Sequence, residues 1–158
     1  TPEVIFLFAG GGAERAALEQ SVARRGLGNV RLIPRQPKER MPALWSACDL
    51  TLIPLRDDPV FAGVIPSKLF EAMAHGVPIV LSVPDGEATA LIRETGAGVV
   101  VPPERPPELA RAIRDLLRSP QRRSELRARA LAAAPRYSRQ QQAERLLAVL
   151  QQVGGGHG

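Results

Sequence analysis

Only one cysteine, Cys48, occurs in the 158 residues, which excludes an internal disulfide and any cluster of thiolate metal ligands. Histidine is almost as scarce. His75 and His157 stand far apart, which leaves little to build a histidine metal site. The six aromatic residues (Phe6, Phe8, Trp45, Phe61, Phe70 and Tyr137) are too few for the stacking platforms that hold single-stranded nucleic acid. No apolar run approaches the ~20 residues that a membrane-spanning helix needs. No basic, then apolar, then small-residue leader opens the chain, so a secretory signal is not expected. What is present is the balance of a soluble globular protein, 44% apolar and 23% charged, with a length that suits one domain.

Charge is spread unevenly. Residues 1–104 carry eight Arg and two Lys against twelve acids, a net of −2, whereas residues 105–158 carry eleven Arg against four acids, a net of +7. The basic character therefore belongs to the C-terminal third. Such a stripe attracts phosphate groups of lipid or nucleic acid; the plainer account is a solvated helical face.

Short apolar runs alternate with segments of helical period. Residues 4–9 (Val-Ile-Phe-Leu-Phe-Ala) are continuously apolar and stop at Gly10-Gly11-Gly12, the pattern of a strand buried on both faces. Further strands are expected at 30–33, 50–54, 78–82 and 98–101, with helices over 14–25, 38–47, 67–75 and 88–94. Gly76 stands where a left-handed helix cap costs least. Residues 55–66 read as a long polar loop. Beyond residue 104 the chain turns wholly helical. Leu109, Ala112, Ile113, Leu116 and Leu117 share a face, and Ser138-x-x-Gln141 opens a last helix through Ala143, Leu146, Leu147 and Leu150. The tail at 154–158 is expected to be disordered. Repeated strand–helix alternation predicts an α/β fold: a doubly wound, Rossmann-like parallel sheet of about five strands, helices on both faces, and a helical C-terminal region.

Ligands of such sheets bind at the carboxyl ends of the strands. Gly10-Gly11-Gly12 lets a backbone approach a ligand there and exposes amides before a helix; strand-to-helix turns also favour glycine for their own sake. The run fits neither the dinucleotide fingerprint, whose third glycine would fall at Arg15, nor a Walker loop. The most informative stretch is Pro66-Ser67-Lys68-Leu69-Phe70-Glu71-Ala72-Met73-Ala74-His75-Gly76-Val77-Pro78. Pro66 and Ser67 begin a helix whose free amides and positive dipole end suit a diphosphate. Lys68 adds a point charge, and one turn further in Glu71 offers a carboxylate able to accept two ribose hydroxyls. Read structurally, the same residues are a cap and a surface helix face. Asp57-Asp58 reads as a solvated turn in preference to a metal site.

The order Asn29-Val30, Ala47-Cys48-Asp49-Leu50, Pro54-Leu55, Ile65 to Ala74, Gly76-Val77-Pro78 and Asp85-Gly86-Glu87 resembles the C-terminal, donor-binding half of the retaining group 1 glycosyltransferases of GT-B fold. It is most similar to the bacterial type that builds O-antigen, capsule and exopolysaccharide. The resemblance covers residues 3–152, and its specific part is Pro66-Ser67-Lys68-Leu69-Phe70-Glu71. It implies that Glu71 holds the nucleotide ribose and that Ser67, Lys68 and Leu69 form the helix start facing the diphosphate. Gly63, Val64 and Ile65 would face the donor sugar, and Pro34-Arg35 would lie against the base. From the residues themselves, Gly11 in the Gly10–Gly12 turn is a further candidate for contact with the donor. Glu87 matches a second Gly-Glu loop of mainly structural role. No cofactor is implied; the donor substrate would be a nucleotide-diphosphate sugar, a UDP-sugar first. Charge on the departing phosphates would be met by helix amides and Lys68 rather than by a metal.

Three departures from the family pattern stand out. The first of its two glutamates falls at Gly63, and the turn glycine by the base is Pro34, which lacks an N–H. The chain also begins at what resembles the second strand. The expected domain, 1–153, thus lacks its first strand–helix unit and the N-terminal acceptor domain. That missing strand would be central, so strands 4–9 and 30–33 should form one half and the other three strands the second half. Either another segment fills the gap, or the halves close with 4–9 pairing directly with 50–54. The fragment alone is expected to be inactive, the intact enzyme cytoplasmic, with peripheral contact at the inner membrane face as an option and no nucleic acid partner. Two alternatives stand: a sugar-nucleotide epimerase of the same fold, and a non-catalytic module whose arginine-rich helices bind nucleic acid or an anionic membrane. Nucleotide binding that survives ~0.5 M salt separates a sugar-nucleotide site from phosphate steering.

Overall fold

The computed structural model describes residues 4–138 and, beyond them, 140, 141, 143, 144, 147, 150 and 151. Leu146 and the tail at 154–158 lie outside the described residues. The chain divides into two compact units, residues 1–44 and 45–158.

In the first unit, β1 (Phe6–Ala9), α1 (Arg15–Arg24) and β2 (Val30–Ile33) form a strand–helix–strand unit. β1 and β2 are parallel, Phe6 opposite Val30 and Ala9 opposite Ile33. The ladder continues past both ends, where the Phe6 amide donates to the Asn29 carbonyl at 2.9 Å and the Gly10 amide to the Ile33 carbonyl at 3.1 Å. The Asn29 side chain donates to the Val4 carbonyl at 3.0 Å. The continuously apolar run at 4–9 predicts a strand covered on both faces, and here the structure differs. Ile5, Leu7 and Phe8 are 63%, 41% and 45% exposed. A two-stranded sheet with one helix has too little side-chain volume to cover both faces, so an apolar composition that suits a central strand is left open to water.

The second unit carries β3 (Thr51–Pro54), β4 (Ile79–Ser82) and β5 (Gly98–Val101) in a parallel sheet with β4 in the middle. Every residue of β4 is buried, as expected for a strand paired on both edges. Thr51 lies opposite Ile79 and Ile79 opposite Gly98. Among the described residues the hydrogen-bonded strand orders are β1-β2 in the first unit and β3-β4-β5 in the second.

Helices complete the unit: α2 (Met41–Ser46, which straddles the boundary at 44), α3 (Ser67–Ala74), α4 (Glu87–Thr95), α5 (Pro106–Arg118) and α6 (Pro120–Ala133). The predicted helical period over 109–117 is that of α5, which buries Ile113 and Leu116. Val80, Val101, Leu116 and Leu126 form one core cluster, with Leu50, Leu52, Val99, Leu109 and Ala112 against it. Gly76 ends α3 at φ 63, the left-handed geometry expected there. After α6, a 3-10 turn (Ala134–Tyr137) leads to Ser138, whose hydroxyl accepts from the Gln141 amide at 3.2 Å, as the expected N-cap does.

Candidate functional site

The predicted site residues fall on both units. On the first, the strand ends are occupied from within. Gly10 and Gly12 have φ of 140° and 142°, conformations that L side chains rarely adopt, so the backbone itself requires glycine there. Gly11 is exposed with open space where a Cβ would stand. Arg15, the first residue of α1, reaches back across the turn. Its Nη1 donates to the Gly10 carbonyl and, at 2.9 Å, to the Ile33 carbonyl, bridging the carboxyl ends of β1 and β2. Its Nε pairs with Glu19 at 2.8 Å. The sequence signal for this contact is a lone arginine just after a glycine turn, at the position where the dinucleotide fingerprint would have its third glycine. Pro34 and Arg35 follow β2 directly and are exposed; the Pro34 carbonyl accepts from the Gln36 side chain at 2.9 Å.

On the second unit, α3 presents two chemically opposite faces. Leu69, Ala72 and Met73 are fully buried, which anchors the helix. Leu69 therefore acts as a core residue, and its amide is taken by the Pro66 carbonyl at 3.0 Å. Ser67, Lys68 and Glu71 are all exposed and, at spacings of three and four, share the outward face within about 6 Å along the axis. Pro66 is the extended N-cap (φ −62, ψ 131) and supplies no side-chain cap. The amides of Ser67 and Lys68, in the first turn, have no intrahelical acceptor, so this end offers donors beside a cation.

Glu71 is held through its backbone. Its carbonyl accepts from the His75 amide at 3.2 Å and lies 2.8 Å from His75 Nδ1. The His75 ring in turn stacks on Trp45, centroids 6.0 Å apart. Trp45 is buried, and its indole N–H is the one buried side-chain polar atom without a partner among the described residues.

The segment 55–66, read from sequence as a polar loop, is ordered by turns and pins. The Leu55 amide donates to the Ser82 carbonyl at 2.9 Å, and the Asp57 amide to Glu104 Oε1 at 3.3 Å. Asp58 caps a 3-10 turn (Pro59–Phe61), its carboxylate accepting from the Val60 amide at 2.9 Å. Gly63 and Val64 are exposed and Ile65 half-buried just before α3. The Ala62 carbonyl accepts from the Glu87 amide at 3.0 Å, a link that sequence reasoning missed. Behind it, Asp85 accepts from Arg93 Nη1 at 2.6 Å and lies 2.6 Å from the Thr89 hydroxyl. The Thr89 hydrogen bond first, and then the Arg93 guanidinium, hold the Asp85 carboxyl below the usual carboxylate range.

Within the basic C-terminal third, three arginines share one face of a helix. Arg111, Arg114 and Arg118 of α5 are exposed and lie within an arc of about 60° opposite Ile113 and Leu116. None of the three is in an ion pair among the described residues. No helix among the described residues is long and apolar enough to cross a membrane.

Residues 1–134 match the model of the glycosyl transferases group 1 family. The alpha-D-kanosaminyltransferase of Streptomyces kanamyceticus is 30% identical over 94% of this chain and 38% of its own length. A putative colanic acid biosynthesis glycosyl transferase of Escherichia coli K12, WcaI, is 33% identical over 74% of this chain and 29% of its own length. Among solved structures, Anabaena Alr3699/HepE in complex with UDP superposes with a TM-score of 0.71 at 26% identity, over 94% of this chain and 42% of that one. The same protein is also known with UDP-glucose. The chain thus spans well under half the length of these relatives. A Rossmann-like parallel α/β fold and a family match over most of the chain agree: the chain belongs to the group 1 glycosyltransferases.

Proposed function

We propose that residues 1–158 are the donor-nucleotide half of a retaining glycosyltransferase of the O-antigen, capsule or exopolysaccharide type. A UDP-sugar is the donor, and the acceptor is a polysaccharide or a lipid-linked sugar. The observation that carries this reading is the outward face of α3, where Ser67, Lys68 and Glu71 stand together beside free first-turn amides. The UDP and UDP-glucose complexes of the Anabaena relative support the choice of donor, and the colanic acid relative supports the type.

In this reading the first-turn amides and Lys68 receive the diphosphate. They matter most as the bond to the anomeric carbon breaks, when negative charge collects on the leaving phosphate. Glu71 accepts the two ribose hydroxyls, with its backbone steadied by His75. The backbone at Gly63, Val64 and Ile65 faces the sugar, while Pro34-Arg35 lies against the base and Gly11 belongs to the glycine turn. Acceptor binding is assigned to a part of the enzyme outside residues 1–158, in line with the greater length of the relatives. A hydroxyl nucleophile must be oriented for transfer, so these residues alone are expected to bind the donor without transferring sugar. The Arg111, Arg114 and Arg118 face adds a peripheral contact with an anionic membrane, which would keep the enzyme at the cytoplasmic leaflet where lipid-linked acceptors reside.

Calorimetry with UDP tests the assignment. Glu71→Ala should weaken binding by roughly 1.5–3 kcal/mol, the scale of a hydrogen-bond partner that carries charge. A folded variant with unchanged affinity would remove Glu71 from the site.

A further inference from the structure

Gly86 leaves no room for a side chain. A Cβ built there would stand 2.0 Å from the Ala62 carbonyl oxygen and 2.7 Å from its carbon. Both obstacles are backbone atoms, so no rotamer change relieves them. Strain is not the reason for glycine here, because φ is 164°, an extended value open to any residue. What glycine provides is closeness. With the Cβ gone, the Ala62 carbonyl reaches the first turn of α4 and accepts from the Glu87 amide at 3.0 Å.

Both sides of this contact are fixed. On the α4 side, the Gly86 amide donates to the Thr89 hydroxyl at 2.9 Å, and Thr89 is buried. The hydroxyl lies against Asp85, which Arg93 holds. On the loop side, the Phe61 amide donates to the Asp58 carbonyl at 2.9 Å, the Ala62 amide to Pro59 at 3.1 Å and the Val64 amide to Phe61 at 3.2 Å. A shift at Ala62 therefore passes directly to Gly63, Val64 and Ile65. The α3 end is anchored separately, through Leu69, Ala72 and Met73 in the core.

We infer that Gly86 is a positioning residue: its contact with Ala62 sets where the backbone of Gly63, Val64 and Ile65 stands, and so governs the sugar end of the donor while leaving the nucleotide end alone. This rests on the proposed function, in which 63–65 face the sugar and α3 holds the nucleotide. Two different substitutions break the contact. Gly86→Ala adds the obstructing carbon. Glu87→Pro removes the amide donor and sets the ring Cδ where that N–H meets the Ala62 carbonyl, at a first-turn helix position that itself tolerates proline.

The experiment uses the intact gene product, with UDP and UDP-glucose as titrants and hydrogen exchange followed residue by residue. Both variants should weaken UDP-glucose by about tenfold or more and UDP by less than about twofold. Exchange of the amides between Val60 and Ile65 should quicken by about tenfold, with the β4 amides unchanged. Equal losses for the two ligands, or unaltered exchange at 60–65 in a folded variant, would overturn the inference. Should Gly86→Ala fail to fold, Glu87→Pro alone decides by the same two readouts. Failure of the underlying nucleotide reading shows itself elsewhere, as undiminished UDP affinity in Glu71→Ala while the exchange result still stands.

Discussion

The imidazole of His75 lies stacked on the indole of Trp45, ring centroids 6.0 Å apart and planes 21° from parallel, while its Nδ1 stands 2.8 Å from the Glu71 carbonyl. One histidine thus ties the helix bearing the candidate ribose carboxylate to the only tryptophan in the chain. His75→Ala removes a ring contact and a hydrogen bond, together about 1–2 kcal/mol. Urea unfolding followed by far-UV circular dichroism should show that loss; a difference under about 0.3 kcal/mol would mean the stack contributes nothing.

The Asp85 carboxyl is depressed by Thr89 and Arg93. For a carboxylate lowered on folding, the linked stability is fully present above the unfolded value, about 3.9, and is lost as pH falls through the lower folded value. The α4 N-terminus should therefore be insensitive between pH 7 and 5 and weaken only in stronger acid. A carboxyl NMR titration should place the Asp85 midpoint below the ordinary aspartate range, and Arg93→Ala should raise it.

Leu116 is 2% exposed, at the centre of the cluster with Val80, Val101 and Leu126. Leu116→Ala should cost about 2–5 kcal/mol. Leu131, 43% exposed on α6, should cost under about 1 kcal/mol on the same change. Thermal unfolding of the two variants side by side checks the order.

Arg111, Arg114 and Arg118 should together bind anionic vesicles. With phosphatidylglycerol vesicles at low salt, replacing all three by Gln should lower binding by about 3 kcal/mol, near 1 kcal/mol for each charge. The wild-type interaction should fade as salt shortens the screening length to about 8 Å. Sedimentation with neutral and anionic vesicles measures both effects. Binding to RNA of the same charge with no preference for vesicles would point to general phosphate attraction.

Burial and thiol chemistry give one more expectation. Desolvation, and then the neighbouring Asp49, push the Cys48 thiol up from its ordinary value. Alkylation by iodoacetamide near pH 7 should therefore be slower than for a free thiol and accelerate steeply with pH. Asp49→Asn should bring part of that rate back.

The five strands were legible from sequence because short apolar runs bounded by Gly, Pro and Asn carry their own punctuation; β2, β5 and the cap at Gly76 stand where the residues alone place them. A helix turns 100° per residue whatever surrounds it, which puts Ser67, Lys68 and Glu71 on one side of α3; that Leu69, expected beside them at the diphosphate, is buried with Ala72 and Met73 depends on what packs against the helix. Burial of β1 was not legible either, because an apolar run records what a strand can tolerate and says nothing about what covers it. The Arg15 bridge from Gly10 to Ile33 and the closure of Ala62 on Gly86 join residues 18 and 24 positions apart. Periodicity is a property of neighbours along one element. Whether a guanidinium meets a distant carbonyl, or a carbonyl fills the space of a missing Cβ, depends on where separate elements come to rest against each other, and that only the tertiary structure decided.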